Sequence, residues 1–167
     1  VTDCGNTGKI THYADETTRN PGPGVVLGYY GVFELYGGSI TGNTGSSEYP
    51  SGGVYVMDDY HAALNMYGGS ITGNSFDSEA AAGAGGVWIG SGSTFTVSGN
   101  AEITGNRRRD QSGSSYSWYN SNVVLDGTKI AIGEYGLGES ASIGVYTTSK
   151  PTSGALTIVT NAEESDL

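Results

Sequence analysis

The sequence predicts an all-β chain wound as a right-handed parallel β-helix, a β-solenoid with three short strands per rung and about four to five rungs. Two observations carry this expectation. One motif returns at spacings of 31 and 32 residues, and apolar and polar residues alternate within each copy. Composition agrees: Gly accounts for 29 of the 167 residues, well above the ~7% of ordinary domains, and Ser, Thr, Asn, Tyr and Val are abundant. That mixture suits short strands joined by tight turns and suits long helices badly. The glycines have no three-residue period and Pro numbers only 4, which excludes collagen.

In chain order, residues 1–24 read as an incomplete first rung or cap, with Gly5 and Gly8 early and Pro21-Gly22-Pro23-Gly24 at its end. Residues 25–120 are the regular rungs. Phe33-Glu34-Leu35-Tyr36-Gly37-Gly38-Ser39-Ile40-Thr41-Gly42-Asn43 recurs as Leu64-Asn65-Met66-Tyr67-Gly68-Gly69-Ser70-Ile71-Thr72-Gly73-Asn74. It returns, with one extra residue, as Phe95-Thr96-Val97-Ser98-Gly99-Asn100-Ala101-Glu102-Ile103-Thr104-Gly105-Asn106. A second element precedes each copy: Gly24-Val25-Val26-Leu27, Gly53-Val54-Tyr55-Val56 and Gly86-Val87-Trp88-Ile89. Asn122-Val123-Val124-Leu125 opens a fourth, degenerate unit. Each unit reads as strand, turn, strand, Gly-Gly corner, strand. A propeller blade needs four antiparallel strands in about 40 residues, and these units are too short. Residues 121–160 lose the repeat signature but keep alternation at 123–125, 130–132, 143–145 and 156–159, as terminal strands. Residues 161–167 read as a tail, and the whole as one domain, a block of a longer protein.

The period of two places Val54, Val56, Leu64, Met66 and Ile71 on one side and Tyr55, Asn65, Ser70 and Thr72 on the other. One unit cannot bury its apolar face alone. Stacked copies can, with equivalent strands pairing about 4.8 Å apart. Phe33, Leu64 and Phe95 are expected in one interior column, and Ile40, Ile71 and Ile103 in another. Gly42, Gly73 and Gly105 permit a tight corner. Asn43, Asn74 and Asn106 are expected to form a structural ladder there, their amides bonding along the stack and to turn backbone.

These residues resemble a family of large extracellular proteins of gut-dwelling, clostridial-type Gram-positive bacteria. The resemblance rests on Gly52-Gly53-Val54-Tyr55-Val56, Tyr67-Gly68-Gly69-Ser70-Ile71-Thr72-Gly73-Asn74, Asn122-Val123-Val124-Leu125 and Ala141-Ser142-Ile143-Gly144-Val145-Tyr146-Thr147. The opening Thr2-Asp3-Cys4-Gly5-Asn6-Thr7-Gly8-Lys9-Ile10-Thr11 is similar to the start of such blocks. It implies a secreted or surface-displayed β-helix, one block of a longer polypeptide, and specifies the repeat type rather than an activity.

Net charge is −10, from 17 acids against 7 Lys plus Arg. Nucleic-acid binding needs an excess of cations and is not expected. Nor is membrane insertion, since no stretch approaches about 18 apolar residues. Cys4 is the only cysteine, so no internal disulfide forms, and it reads as a small buried hydrophobe.

Some parallel β-helices cleave polysaccharides, using clustered carboxylates to hold Ca²⁺ and a base to take a proton. Here the outward columns hold Glu34, Asn65 and Thr96, then Ser39, Ser70 and Glu102, which is no cluster. Asp58-Asp59, followed by Tyr60-His61, could touch a cation but reads better as a polar turn. Arg107-Arg108-Arg109-Asp110 reads as a solvated corner loop paired with Glu79 or Glu102, or as a contact for an acidic ligand. His12 and His61 lack metal-ligand spacing. No catalytic residue, metal or cofactor is assigned.

Aromatics are the sharper signal. Tyr55 and Trp88 occupy equivalent outward positions, where they could stack on sugar rings or on one another. Three corner segments, 44–53, 75–86 and 107–121, leave the repeat on the same side and differ in content. The first holds Tyr49; the second Phe76, Asp77 and Glu79; the third the arginines with Tyr116, Trp118 and Tyr119. Trp118 and Tyr119 read either as anchors for a partner or as rings folded back over an open sheet face. The expected function is that of a non-enzymatic, extracellular, adhesin-like segment on a bacterial surface, its partner a glycan or a host or bacterial surface protein. End-to-end self-association into a fibre, and a carbohydrate-binding or lyase-like protein, are the alternatives.

Overall fold

The computed structural model describes residues 7–11, 22–77, 83–112, 115–146 and 159–161. Cys4, His12, Pro21, Glu79, most of the 1–24 cap, residues 156–158 and the 162–167 tail lie outside the described residues. Among the described residues every regular element is a strand. The chain is a parallel β-helix, and it is read most easily one rung at a time.

β1 (Lys9–Ile10) precedes the first full rung. That rung holds β2 (Val25–Leu27), β3 (Val32–Leu35), β4 (Ser39–Thr41) and β5 (Thr44–Gly45). The second holds β6 (Val54–Val56), β7 (Ala63–Met66), β8 (Ser70–Thr72) and β9 (Ser75–Phe76). The third holds β10 (Val87–Ile89), β11 (Thr94–Gly99) and β12 (Glu102–Thr104), then β13 (Arg107–Ser112) and β14 (Ser115–Asn120). The fourth holds β15 (Val123–Leu125), β16 (Ile130–Leu137) and β17 (Ser142–Ile143), and β18 (Val145–Tyr146) and β19 (Val159–Asn161) follow.

Equivalent strands of successive rungs pair in parallel, giving three sheets of 5 strands each: β2-β6-β10-β15-β18, β3-β7-β11-β16-β19 and β1-β4-β8-β12-β17. Registers match the motif residue for residue. Phe33, Leu64, Phe95 and Ile130 align across one sheet. Ile10, Ile40, Ile71, Ile103 and Ile143 form a five-residue column in another. Ile40, Ile71 and Ile103 are fully buried, as are Val54, Val56, Leu64 and Met66, so the inward positions follow the period of two. Each such side chain contributes about 1.5–3 kcal/mol on burial. That aliphatic interior is what the isolated rung lacks.

The corner after each β-strand of the Ile column is closed by the asparagine ladder. Nδ2 of Asn43 donates to Oδ1 of Asn74 at 3.0 Å, and Nδ2 of Asn74 to Oδ1 of Asn106 at 3.0 Å. Each Nδ2 also reaches backbone carbonyls, as Asn74 does to Ile40 at 2.9 Å. The ladder runs one step further than the motif does. Asn106 donates to Oδ1 of Asn122 at 3.1 Å. In the fourth rung only Gly144 separates β17 from β18, leaving no corner for an asparagine, so Asn122 supplies the amide from the start of that rung instead. Gly42, Gly73 and Gly105 have φ of 72°, 66° and 64°, the left-handed conformation these corners require.

Three expectations need correction. Segments 44–53, 75–86 and 107–121 are not plain loops: β5, β9 and β13 form a fourth parallel sheet, because their backbones continue the stacking of the rungs that carry them. In the third rung that sheet is extended by β14, antiparallel to β13. Residues 143–145, expected as one strand, divide at Gly144 between two sheets. Finally, β16 runs to Leu137 with a register shift opposite Val97 and Gly99. An apolar cavity of about 160 Å³ lies beside that shift, lined by Val97, Ile132, Leu137 and neighbouring aliphatics. Its lining residues carry no polar side chain to orient a ligand, and it reads as imperfect packing at the bulge.

Candidate functional site

The hairpin of β13 and β14 extends the fourth sheet at the third rung. Every side chain of β14 from Ser115 to Asn120 is exposed. Pairing sets Arg109 opposite Trp118 and Arg108 opposite Tyr119. Alternation then divides the two faces. On one, the Arg107 guanidinium lies 4.5 Å from the Trp118 ring centroid and that of Arg109 lies 5.4 Å from Tyr116. On the other, Arg108 lies 5.1 Å from the Tyr146 ring. Cations and rings thus interleave, each contact contributing about 0.5–1 kcal/mol at an exposed position.

Glu79, one expected partner of the arginines, lies outside the described residues; the ion pairs among the described residues are with Asp77 and Asp110. Arg109 Nε meets Asp77 Oδ1 at 2.7 Å, and Arg108 meets Asp110 at 3.5 Å. The Glu102 carboxylate instead accepts the Thr104 hydroxyl at 2.8 Å. The reason is register: β13 lies beside β9, so Asp77 just beyond β9 comes next to Arg109. Trp118, Tyr119 and Tyr116 are 37%, 53% and 62% exposed.

The Tyr55 and Trp88 column fares differently. The two residues are in register, as expected. Tyr55 is nevertheless buried, its ring meeting that of Tyr49 edge-on at 6.2 Å. Segment 44–53 thus brings Tyr49 against the outer face of this sheet, which sequence alternation alone does not reveal. Burial first, then the Asp58 carboxylate and Tyr60, push the Tyr55 phenol up from its ordinary pKa. Trp88 is half-buried, and its Nε1 donor meets no acceptor of the protein. Phe76, expected among the corner-loop contents, is fully buried in the interior of the fourth sheet.

Glu34, Asn65 and Thr96 align on an outer face, with Glu34 Oε1 3.5 Å from the Tyr67 hydroxyl and the rings of Tyr36 and Tyr67 stacked at 4.6 Å. Asp58 and Asp59 lie in a turn and accept from Ser91, as the polar-turn reading expects. No group of acids, His or Cys among the described residues is arranged to hold a metal ion.

One corner was not foreseen. Between the first two strands of each rung the backbone needs residues with positive φ. The third and fourth rungs use glycine there, Gly92 at 72° and Gly127 at 67°. The first uses Tyr29 and Tyr30, at 50° and 60°, in a turn closed by Gly31 N–H donating to Gly28 O at 2.9 Å. Positive φ at both central positions is the mark of a type I′ turn, which favours Gly, Asn and Asp. The second uses Asp59 and His61, at 58° and 51°. Asp and His tolerate this region; two successive tyrosines do not, at roughly 1–2 kcal/mol each. Among the described residues these four are the complete set of non-glycine residues with positive φ. Their rings meet across rungs, Tyr29 to Tyr60 at 4.4 Å and Tyr30 to His61 at 5.5 Å. A hydrogen bond with Tyr29 is the main cause that raises the Tyr60 phenol above its ordinary pKa. The comparison of Gly28-Tyr29-Tyr30-Gly31 with Gly90-Ser91-Gly92-Ser93 was the available signal.

Comparison with protein-family models, curated proteins and solved structures finds no match to this chain.

Proposed function

We propose that this chain is a non-catalytic extracellular display segment, in which a stiff β-solenoid holds the β13–β14 hairpin outward to contact a glycan or protein on a bacterial or host surface. The observation that carries this reading is the hairpin itself. Its second strand is exposed along its whole length, yet it sets Trp118 and Tyr119 opposite Arg109 and Arg108, with the Arg107 and Arg109 guanidiniums over the Trp118 and Tyr116 rings. Large aromatics with polar tips, fixed beside Arg on a rigid scaffold, supply contact area at little loss of side-chain freedom. The resemblance of the repeat to surface proteins of gut bacteria supports the extracellular setting.

Cell binding tests it. Labelled parent chain is compared with the double variant Trp118→Ala, Tyr119→Ala on gut bacteria and on epithelial cells by flow cytometry. The expected result is loss of binding with an unchanged melting temperature. A variant that binds like the parent and melts several degrees lower would assign these rings to covering the scaffold and discard the display reading.

A further inference from the structure

We infer that the Tyr29–Tyr30–Tyr60–His61 corner is a binding site for an uncharged saccharide, with the apolar faces of sugar rings laid on Tyr29 and Tyr30. This does not rest on the hairpin. The starting point is the contrast between rungs: the same corner is built with Gly92 and Gly127 in the third and fourth rungs, and with two tyrosines in the first. Tyrosine is the wrong residue for that backbone, and burial in the interior does not explain its presence. Tyr29 is 78% exposed and Tyr30 74% exposed, so neither ring gains much from the interior. Strain maintained at exposed aromatic positions points to what the rings present rather than to what they support.

The surroundings select the ligand. Tyr29 and Tyr30 continue into Tyr60 and His61 of the next rung, giving an aromatic patch two rungs wide. The Tyr29 and Tyr60 side chains share a hydrogen bond at its edge. His61 Nδ1 lies 3.1 Å from Gly92 O, so in the neutral ring Nδ1–H donates there and Nε2 remains an acceptor. Asp58 and Asp59 lie in the same turn, their Oδ1 atoms engaged with Ser91. Two carboxylates beside the rings oppose an anionic ligand. Flat apolar surface edged by neutral donors and acceptors fits the alternating C–H faces and hydroxyls of a pyranose. The two ring pairs contact each other directly, at 4.4 and 5.5 Å, and so do not enclose a gap for a cationic headgroup.

Affinity electrophoresis of the 167-residue chain in gels holding xylan, mixed-linkage β-glucan or galactomannan tests this, with polygalacturonate and chitosan as anionic and cationic comparators. Retardation by at least one neutral polymer and not by the two charged ones is expected. The decisive variant is Tyr29→Gly, Tyr30→Gly, because glycine accepts the positive φ. It should melt at or above the parent temperature while affinity falls roughly tenfold for each ring lost. Tyr29→Phe, Tyr30→Phe should retain most of the affinity. Trp118→Ala should retain all of it, which separates this site from the hairpin. Absence of retardation by every neutral polymer, retardation by chitosan alone, or unchanged binding in the glycine variant would overturn the proposal. So would a glycine variant that melts several degrees lower, since the tyrosines would then be structural.

Discussion

Gly86 lies so close over Asn106 that a methyl group on its Cα would stand 2.8 Å from the Asn106 Nδ2. The same relation holds for Gly24 over Asn43, again at 2.8 Å, and for Gly53 over Asn74, at 3.2 Å. A column of missing side chains therefore runs beside the column of amides. Gly86→Ala should destabilise the chain by about 3 kcal/mol through overpacking against fixed backbone and amide. At Gly22, where an added methyl meets nothing within 4 Å, alanine should be neutral or stabilise by up to about 1 kcal/mol. Urea midpoints of the two variants check the difference.

Asn74 is fully buried, and its amide serves both neighbours. Oδ1 accepts from Asn43 N at 3.1 Å and Asn43 Nδ2 at 3.0 Å, while Nδ2 donates to Ile40 O, Thr72 O and Asn106 Oδ1. Asn74→Ala strands several of these groups, at about 1–3 kcal/mol for each left unsatisfied. Asn74→Asp keeps the shape but turns a donor into an acceptor facing acceptors. Burial and that opposition raise the new carboxyl's folded pKa, so the variant's deficit should shrink as pH falls and the acid protonates. Equal deficits at neutral and acid pH would refute the account.

Ile71 and Thr72 are adjacent and face opposite ways, the first fully buried and the second half-exposed. Ile71→Asp should prevent folding or cost several kcal/mol, because it buries an unpaired charge in the middle of the isoleucine column. Thr72→Asp should cost less than about 1 kcal/mol. Circular dichroism and thermal melts compare them, and similar melting would reverse the inside–outside assignment.

The two arginine pairs on the hairpin should behave unequally. Arg109 and Asp77 are 27% and 31% exposed and meet at 2.7 Å, whereas Asp110 is 53% exposed and 3.5 Å from Arg108. Asp77→Asn should lower stability by about 1 kcal/mol at low salt and by less at high salt. Asp110→Asn should do almost nothing. Melting in dilute buffer and in molar NaCl distinguishes them.

Tyr55 predicts an alkaline limit. Its phenol is held above the ordinary tyrosine value of about 10, chiefly by burial and then by Asp58 and Tyr60. The folded state therefore holds this proton more tightly than the unfolded state does. Its contribution is fully present below about pH 10 and is lost as pH rises through the folded value. Stability measured from about pH 9 upward should fall, and Tyr55→Phe should flatten that fall.

What could be foreseen follows from which residues announce their own surroundings. The isoleucine column and the first three asparagines were legible because the period of two and the repeated Gly-Asn corner tie each residue to a position. Asn122 was not, since it joins the ladder from the front of a rung whose corner is a lone glycine. The hairpin was hidden because β14 is exposed along its length and neither β13 nor β14 has the apolar alternation that betrays a strand. Tyr55 was placed on the correct face but called exposed, because the path of segment 44–53, which brings Tyr49 over it, is a tertiary matter. Tyr29 and Tyr30 escaped notice for the opposite reason: turns with positive φ are found by looking for Gly, Asn or Asp, and here the tyrosines break that rule.

The asparagine ladder also has a direction. From amide to amide, each asparagine side chain donates to the next asparagine and accepts from the one before it, from Asn43 through Asn74 and Asn106 to Asn122. Aligned dipoles of this kind reinforce one another and, among the described residues, leave the row with an acceptor terminus at Asn43 Oδ1 and a donor terminus at Asn122 Nδ2. The row is a one-way street. Further rungs, whether from the same polypeptide or a second copy, can lengthen it only by entering with the same sense. Twofold symmetric joining of like ends would set donor against donor or acceptor against acceptor. The chemistry of a single side-chain type thus imposes head-to-tail order on any longer stack.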